Sequence, residues 1–410
     1  MARATRWRRA VPGRFVLLLL AIEAIDEFVF GAREAAWPKI RDDLDLTYLQ
    51  VGVLLSVPLL VGNLIEPLLG ILGDVWRRTW LIVAGGVVFA VSSVLVSVSS
   101  QYWHLLFAFI AFSPASGAFV SLAQASLMDH APERRAPNMA LWTAAGFLGV
   151  LAGTAAVGAS IAAGASWRYT FAAGGVMALV ALLASFRFAG QLGGAPSATG
   201  VGFRSAFASS IRGIAADIRK GRVLRWMFLL EFADLMLDVL LGYLALYLVD
   251  IVHASPAQAA AGVGVWMAAG LAGNLALVPV LARVSGITVL RVTAPAAVCL
   301  FALMLLAPDL WAKMAILAAL GALKSGWYPI LQARLYDELP GRSGSAIALG
   351  NLSGMLGGLL PLSIGVAATA WGLDRAMWLL LAAPAAILIG LWRVDRGTRP
   401  ATRAQRRRGK

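Results

Sequence analysis

The sequence predicts an all-α membrane protein of twelve transmembrane helices in two six-helix repeats. Three observations predict it. Runs of about 20 mostly apolar residues recur along the whole chain. Basic residues concentrate in alternate connecting segments, and short motifs return 208 residues apart. Composition agrees, with 60% hydrophobic residues among 410 and a mean hydropathy of +0.78. No polar face recurs along the runs, as the helices of a soluble protein would require.

The spans fall at approximately 13–35, 48–72, 79–100, 103–128, 138–164, 168–188, 224–250, 258–282, 288–308, 311–335, 344–370 and 374–393. With the first residues placed in the cytoplasm, 28 of the 35 Lys and Arg lie on inside segments and 6 on outside ones, while Lys324 lies within a span. This asymmetry is the positive-inside pattern, and it puts both termini in the cytoplasm. It also accounts for the net charge of +14 without nucleic acid. The basic tail, 394–410, is expected to touch anionic lipid. The start of the chain carries acids inside its apolar run and no small-residue cleavage site, so it is expected to be kept as the first span. The one cysteine, Cys299, falls in span 9, which leaves no disulfide frame and no cysteine-based metal centre.

The repeat is legible residue by residue. Gln124, Ala125, Leu127, Asp129, Pro132 and Arg134 return as Gln332, Ala333, Leu335, Asp337, Pro340 and Arg342. The same spacing carries Glu23 onto Glu231, Asp26 onto Asp234, and Gly146 and Gly149 onto Gly354 and Gly357. The expected organisation is an N-terminal bundle over 1–188, a cytoplasmic linker over 189–223, a C-terminal bundle over 224–393 and the tail. Within the linker, a Gly/Ala/Ser-rich part precedes a stretch of apolar residues at helical spacing between basic ones. That reads as an amphipathic helix on the inner membrane face. Duplicated helical bundles of this kind place a substrate site between the halves at mid-membrane. No Gly-rich phosphate loop ending in Gly-Lys-Ser/Thr is present, so nothing points to direct use of ATP.

Between spans 2 and 3 stands GILGDVWRRTW, in which Gly70, Asp74 and Arg78 match a signature of the major facilitator superfamily. Arg77 stands where that signature has glycine. With the helix count, topology and duplication, the chain resembles that superfamily over its whole length. The resemblance implies the major facilitator fold, transport by alternating access, and gating of the inner side by Gly70, Asp74 and Arg78. The simpler reading makes Asp74 a helix cap and Arg78 a topology anchor. Helix 5 has Gly146, Gly149 and Gly153 without the proline of the family's antiporter motif, so its glycines speak only for close packing. The stretches LTYLQVGVLL and EPLLGILGD resemble drug-efflux members.

Candidate chemistry rests on acids within spans: Glu23, Asp26 and Glu27 in helix 1, Glu66 in helix 2, and Glu231, Asp234 and Asp238 in helix 7. A charged group at a bilayer centre costs about 2.5–3.5 kcal/mol or more, so such residues are functional candidates. Each cluster lies on one helix face, and equivalent helices would turn these faces toward each other. Crowded carboxylates in a low-dielectric space titrate as a group. They serve proton coupling or a cationic substrate, a hard divalent metal, or a solvated vestibule. The lack of nearby His, Cys or Met argues against zinc and copper.

Lys324 is expected to pair with an acid of helix 1 or 7, either as a pair remade during transport or as a fixed one. Asn63, Gln124, Asn274 and Gln332 offer hydrogen bonds to substrate or bridge neighbouring helices. Trp327 and Tyr328 offer an aromatic wall or simple packing. No nucleophile–base spacing is present, and His104, His130 and His253 sit at span ends, so an enzyme is disfavoured. The expectation is a monomeric proton-coupled carrier of a bacterial inner membrane, exporting a small lipophilic or cationic compound. No cofactor is expected beyond protons, with a divalent metal left open. Divalent-metal or nutrient symport is the alternative.

Overall fold

The computed structural model describes residues 13–75, 78–130, 135–192, 219–338, 354–355 and 357–392. The amphipathic stretch of the linker, the basic tail and the first part of span 11 lie outside these residues. The first half comprises α1 (Arg14–Asp43), α2 (Tyr48–Val75), α3 (Arg78–Val98), α4 (Tyr102–His130), α5 (Arg135–Ala162) and α6 (Arg168–Leu192). The second comprises α7 (Gly221–Asp250), α8 (Pro256–Leu281), α9 (Gly286–Leu306), α10 (Leu310–Leu335), α11 (Leu360–Trp371) and α12 (Leu373–Leu391). Among the described residues ten helices are long and apolar enough to cross a membrane. The other two are α1, which carries too many charges for that pattern, and α11, of which 12 residues are described.

The duplication is built into the backbone. Tyr48 and Pro256, Arg78 and Gly286, and Tyr102 and Leu310 open helices at positions 208 residues apart. Asp45 (φ 48°) and His253 (φ 59°), again 208 apart, are the non-glycine residues with left-handed φ among those described. Each follows the end of a 30-residue helix, where a left-handed residue reverses the chain. Helices α4 and α10 are interrupted at equivalent depth. A π-turn occupies Gly117–Ser121 in α4, and Ser325 and Gly326 separate Leu310–Lys324 from Trp327–Asp337 in α10.

Helix α1 runs to Asp43 through Pro38, eight residues past the expected end of span 1. Arg33 and Glu34, at the expected edge of span 1, therefore lie well inside the helix, and Glu34 is buried. Lys313 is likewise within α10 and buried. Its ammonium donates to the carbonyls of Met304 (2.6 Å) and Leu305 (3.2 Å) and to the Tyr247 hydroxyl (2.9 Å). A cation at the C-terminal carbonyls of α9 complements the helix dipole.

Glycines bring helices into backbone contact. A Cβ at Gly149 or Gly153 of α5 would collide with the carbonyls of Ala24 or Phe28 in α1. Across the halves, α2 packs on α11 and α5 on α8, with Gly52 and Gly365 at the α2–α11 crossing. The polar links between halves gather at the distal end, which carries the α1–α2 and α7–α8 connections. There Asp250 of α7 accepts from Arg41 Nη1 (2.6 Å) and from the Tyr48 hydroxyl (2.7 Å). The Arg41 guanidinium also lies 4.4 Å from the Tyr48 ring centroid. Beneath them Ser56 Oγ accepts from the Leu362 backbone N–H (2.8 Å). The distal end is thereby latched.

Candidate functional site

The acids of α1 lie where that helix meets α4 and α5. Asp26 Oδ1 accepts a 2.8 Å hydrogen bond from Ser116 Oγ, the last residue of α4 before its π-turn. Glu23 lies against Gly146 of α5, where a Cβ would stand 2.8 Å from its Oε1, and Glu27 flanks the same glycine. Glu66 of α2 lies against Gly117, the first residue of the π-turn. In the second half, Glu231 packs on Gly357. Asp234 immediately precedes, and Asp238 lies within, a second π-turn, Leu235–Val239 in α7, of the kind found at functional sites.

Two chambers meet at the α7 acids. The first, of about 220 Å³, is bordered by Asp26, Arg33, Glu34, Glu66, Asp234 and Asp238, with Phe30, Phe109 and Phe112 among its apolar walls. The second, of about 330 Å³, is bordered by Asp234, Asp238 and Lys324, with Phe147, Trp266, Asn274, Ser325 and Tyr328 around them. Asp26 of the α1 face and Asp234 and Asp238 of the α7 face border the same chamber. Glu23, Glu27 and Glu231 border neither chamber.

Of the chamber acids only Glu34 has a base in ion-pair contact among the described residues. Arg33 donates through Nε (2.8 Å) and Nη2 (2.6 Å) to Glu34 Oε1, and Glu34 Oε2 accepts from Trp37 Nε1 (3.3 Å). The Arg33 guanidinium lies 5.0 Å from the Phe30 centroid and 6.0 Å from that of Phe109. The Lys324 ammonium lies 4.5 Å from the Trp266 ring centroid. Among the described residues neither base is within ion-pair distance of Asp26, Glu66, Asp234 or Asp238. The expected ion pair of Lys324 is therefore not formed in this conformation. Its cation rests on an aromatic face instead, an attraction worth about 0.5–2 kcal/mol.

The remaining candidates divide. Asn274 and Tyr328 border the second chamber, and Gln332 donates to the Tyr328 hydroxyl (3.3 Å). Asn63 packs against Gly354 of the other half. Gln124 points at Met139 of α5 (3.6 Å). Trp327 is wholly buried, and its Nε1 donates to Thr293 Oγ1 of α9 (3.0 Å), so it belongs to packing and not to a chamber wall. Gly70 is exposed, and the Asp74 side chain lies outside the described residues. Arg78 pairs with Asp129 of α4 at 2.8 Å, which is a contact within one half and not across the two. Asp337 accepts from Arg334 of its own helix (3.4 Å). Among the described residues no three of His, Cys, Asp and Glu come together as metal ligands.

Sequence reasoning missed Arg33, Glu34 and the phenyl rings around them. The signal was present, because Arg33 and Glu34 stand seven residues after Asp26 and Glu27 and so share their face. The Arg41–Asp250 contact had no such signal, since it joins residues 209 apart through tertiary structure.

Structural relatives share this architecture. A bacterial homologue of the human lysosomal transporter Spinster, in an inward-facing and occupied conformation, superimposes with a TM-score of 0.68 at 13% identity, covering 92% of this chain and 93% of that one. A variant of the nucleoside transporter NupG superimposes with a TM-score of 0.74 at 12% identity, covering 92% and 98%. No curated protein matches the sequence. The model of the Major Facilitator Superfamily matches residues 16–361. That match covers most of the chain, reaches through both halves to the start of α11 and includes every chamber acid, so the chain belongs to the Major Facilitator Superfamily, a family of membrane transporters and not of enzymes.

Proposed function

We propose that the protein is a proton-coupled carrier that exports a small lipophilic cation by alternating access across a bacterial inner membrane, with both termini in the cytoplasm. One observation carries this reading: Asp26, Glu66, Asp234 and Asp238 border a shared space with no base in ion-pair contact, while both nearby bases lean on aromatic rings. Carboxylates in that setting take protons or a cationic guest. Aromatic walls suit the apolar body of such a guest. With the termini inside, the latched distal end is the outer one, and the carrier is set to load from the cytoplasm.

The test is transport of ethidium, an aromatic cation, by purified protein in proteoliposomes under an imposed pH gradient. Asp26→Asn and Asp234→Asn are each expected to lower flux at least about tenfold, a loss of about 1.4 kcal/mol in effective coupling. Undiminished pH-dependent flux by both variants would sink the proposal. The second reading is symport of a polar nutrient, such as the nucleosides that one structural relative carries. It is favoured by the polar wall Asn274, Ser325 and Tyr328 of the second chamber. Uridine uptake that follows the proton gradient, with no ethidium flux, would select it.

A further inference from the structure

Glu34 is almost wholly buried, at 2% side-chain exposure, and both of its oxygens are engaged. A buried carboxylate stripped of its cation is strongly destabilising, by about 3–5 kcal/mol. The place beside it therefore calls for a cation at all times. The walls of that place select a flat one, since the faces of Phe30 and Phe109 stand 5.0 and 6.0 Å from the guanidinium carbon that now fills it. The place also opens on the first chamber, where Asp26, Glu66 and Asp238 wait without a base in contact. A guanidinium that leaves Glu34 finds new partners there.

Resting on the carrier reading above, we propose that Phe30, Phe109 and Glu34 form the seat for the planar cationic group of the substrate, and that Arg33 holds this seat until the substrate displaces it. The substrate class is an aryl guanidinium or amidinium. Two of its N–H donors can converge on Glu34 Oε1 as Arg33 Nε and Nη2 do, while Oε2 stays with Trp37. Its ring packs along Phe112, Leu55 and Leu59 of the chamber wall. The exchange is balanced in charge, because one cation replaces another at Glu34 and the released Arg33 moves to a chamber carboxylate.

The test is calorimetric titration of the full-length detergent-solubilised protein with phenylguanidinium, with uncharged phenylurea as the shape control. Arg33→Ala removes the competitor and is expected to bind phenylguanidinium about tenfold more tightly than the unaltered protein, with phenylurea unchanged. Adding Phe109→Leu to Arg33→Ala is expected to return most of that gain. The proposal is overturned if affinity stays level or falls, if phenylurea gains equally, or if neither protein binds the probe. Where the alanine variant is not monodisperse, Arg33→Gln replaces it. If both collapse and Arg33→Lys does not, the charge is structural and the seat is not a substrate seat. Loss of ethidium flux in the Asp26 and Asp234 variants without any gain in Arg33→Ala would remove this inference and keep the transport reading.

Discussion

Asp26 and Asp234 occupy the same position in the two repeats, and Ser116 and Lys324 are the equivalent residues opposite them. The first half closes its pair with a 2.8 Å hydrogen bond from a neutral hydroxyl. The second half puts an ammonium at that place and does not close the pair, since Lys324 turns to Trp266. Duplication thus preserved the location of the chemistry while its partners diverged. One half holds its carboxylate in a fixed contact, and the other leaves two carboxylates and a cation free to redistribute around a chamber.

Experiments can break this comparison in order of severity. The largest effect is expected from Lys324→Met, which leaves the second chamber, bordered by Asp234 and Asp238, with no base. Ethidium flux should fall by about 30-fold in a monodisperse protein, and Lys324→Arg should restore part of it, a loss of about 2 kcal/mol. Ser116→Ala deletes one hydrogen bond to a carboxylate, which at the low end for such bonds is worth about 1.5 kcal/mol, so flux should fall by about tenfold with the site otherwise intact. Equal losses in the two variants would erase the distinction between a fixed and a mobile pair.

A smaller effect is expected at the latch. Arg41→Gln removes one link to the half-buried Asp250 and leaves the Tyr48 bond. In a Cys299→Ser background, alkylation of Ser56→Cys, at a wholly buried position beneath the latch, should quicken about fivefold, as a shift of about 1 kcal/mol requires. The smallest belongs to Lys39→Ala. Its exposed 3.7 Å pair with Asp42 should change the midpoint of thermal unfolding by less than about 1 °C. A larger shift would place Lys39 in the latch as well.

The fold was legible because its signals are local or repeated: apolar runs, basic connections and the constant spacing of 208. The acid faces were legible for the same reason, since Glu23, Asp26 and Glu27 follow helical periodicity. Helix α1 was read too short because Pro38 and the charges of Lys39, Arg41, Asp42 and Asp43 follow residue 35. The helix continues because Glu34, Trp37 and Ile40 are buried in protein and not in lipid. For Trp327 the sequence left an aromatic wall and simple packing open; the break at Ser325 and Gly326 separates it from the helical segment of Lys324, and it packs. The contact of Lys324 with the Trp266 indole is set by tertiary placement, which no residue pattern encodes.

The interruptions of α4 and α10 have a mechanical meaning. Ser116 and Lys324 are the final residues of the distal segments, immediately before each joint. Each of these long helices is therefore an arm with an elbow rather than a single rod. The groups that face the carboxylates ride on the upper arm, which is tied to the latched end. On the proposed carrier reading, a proximal segment that tilts at its joint leaves Ser116 and Lys324 with the distal segment.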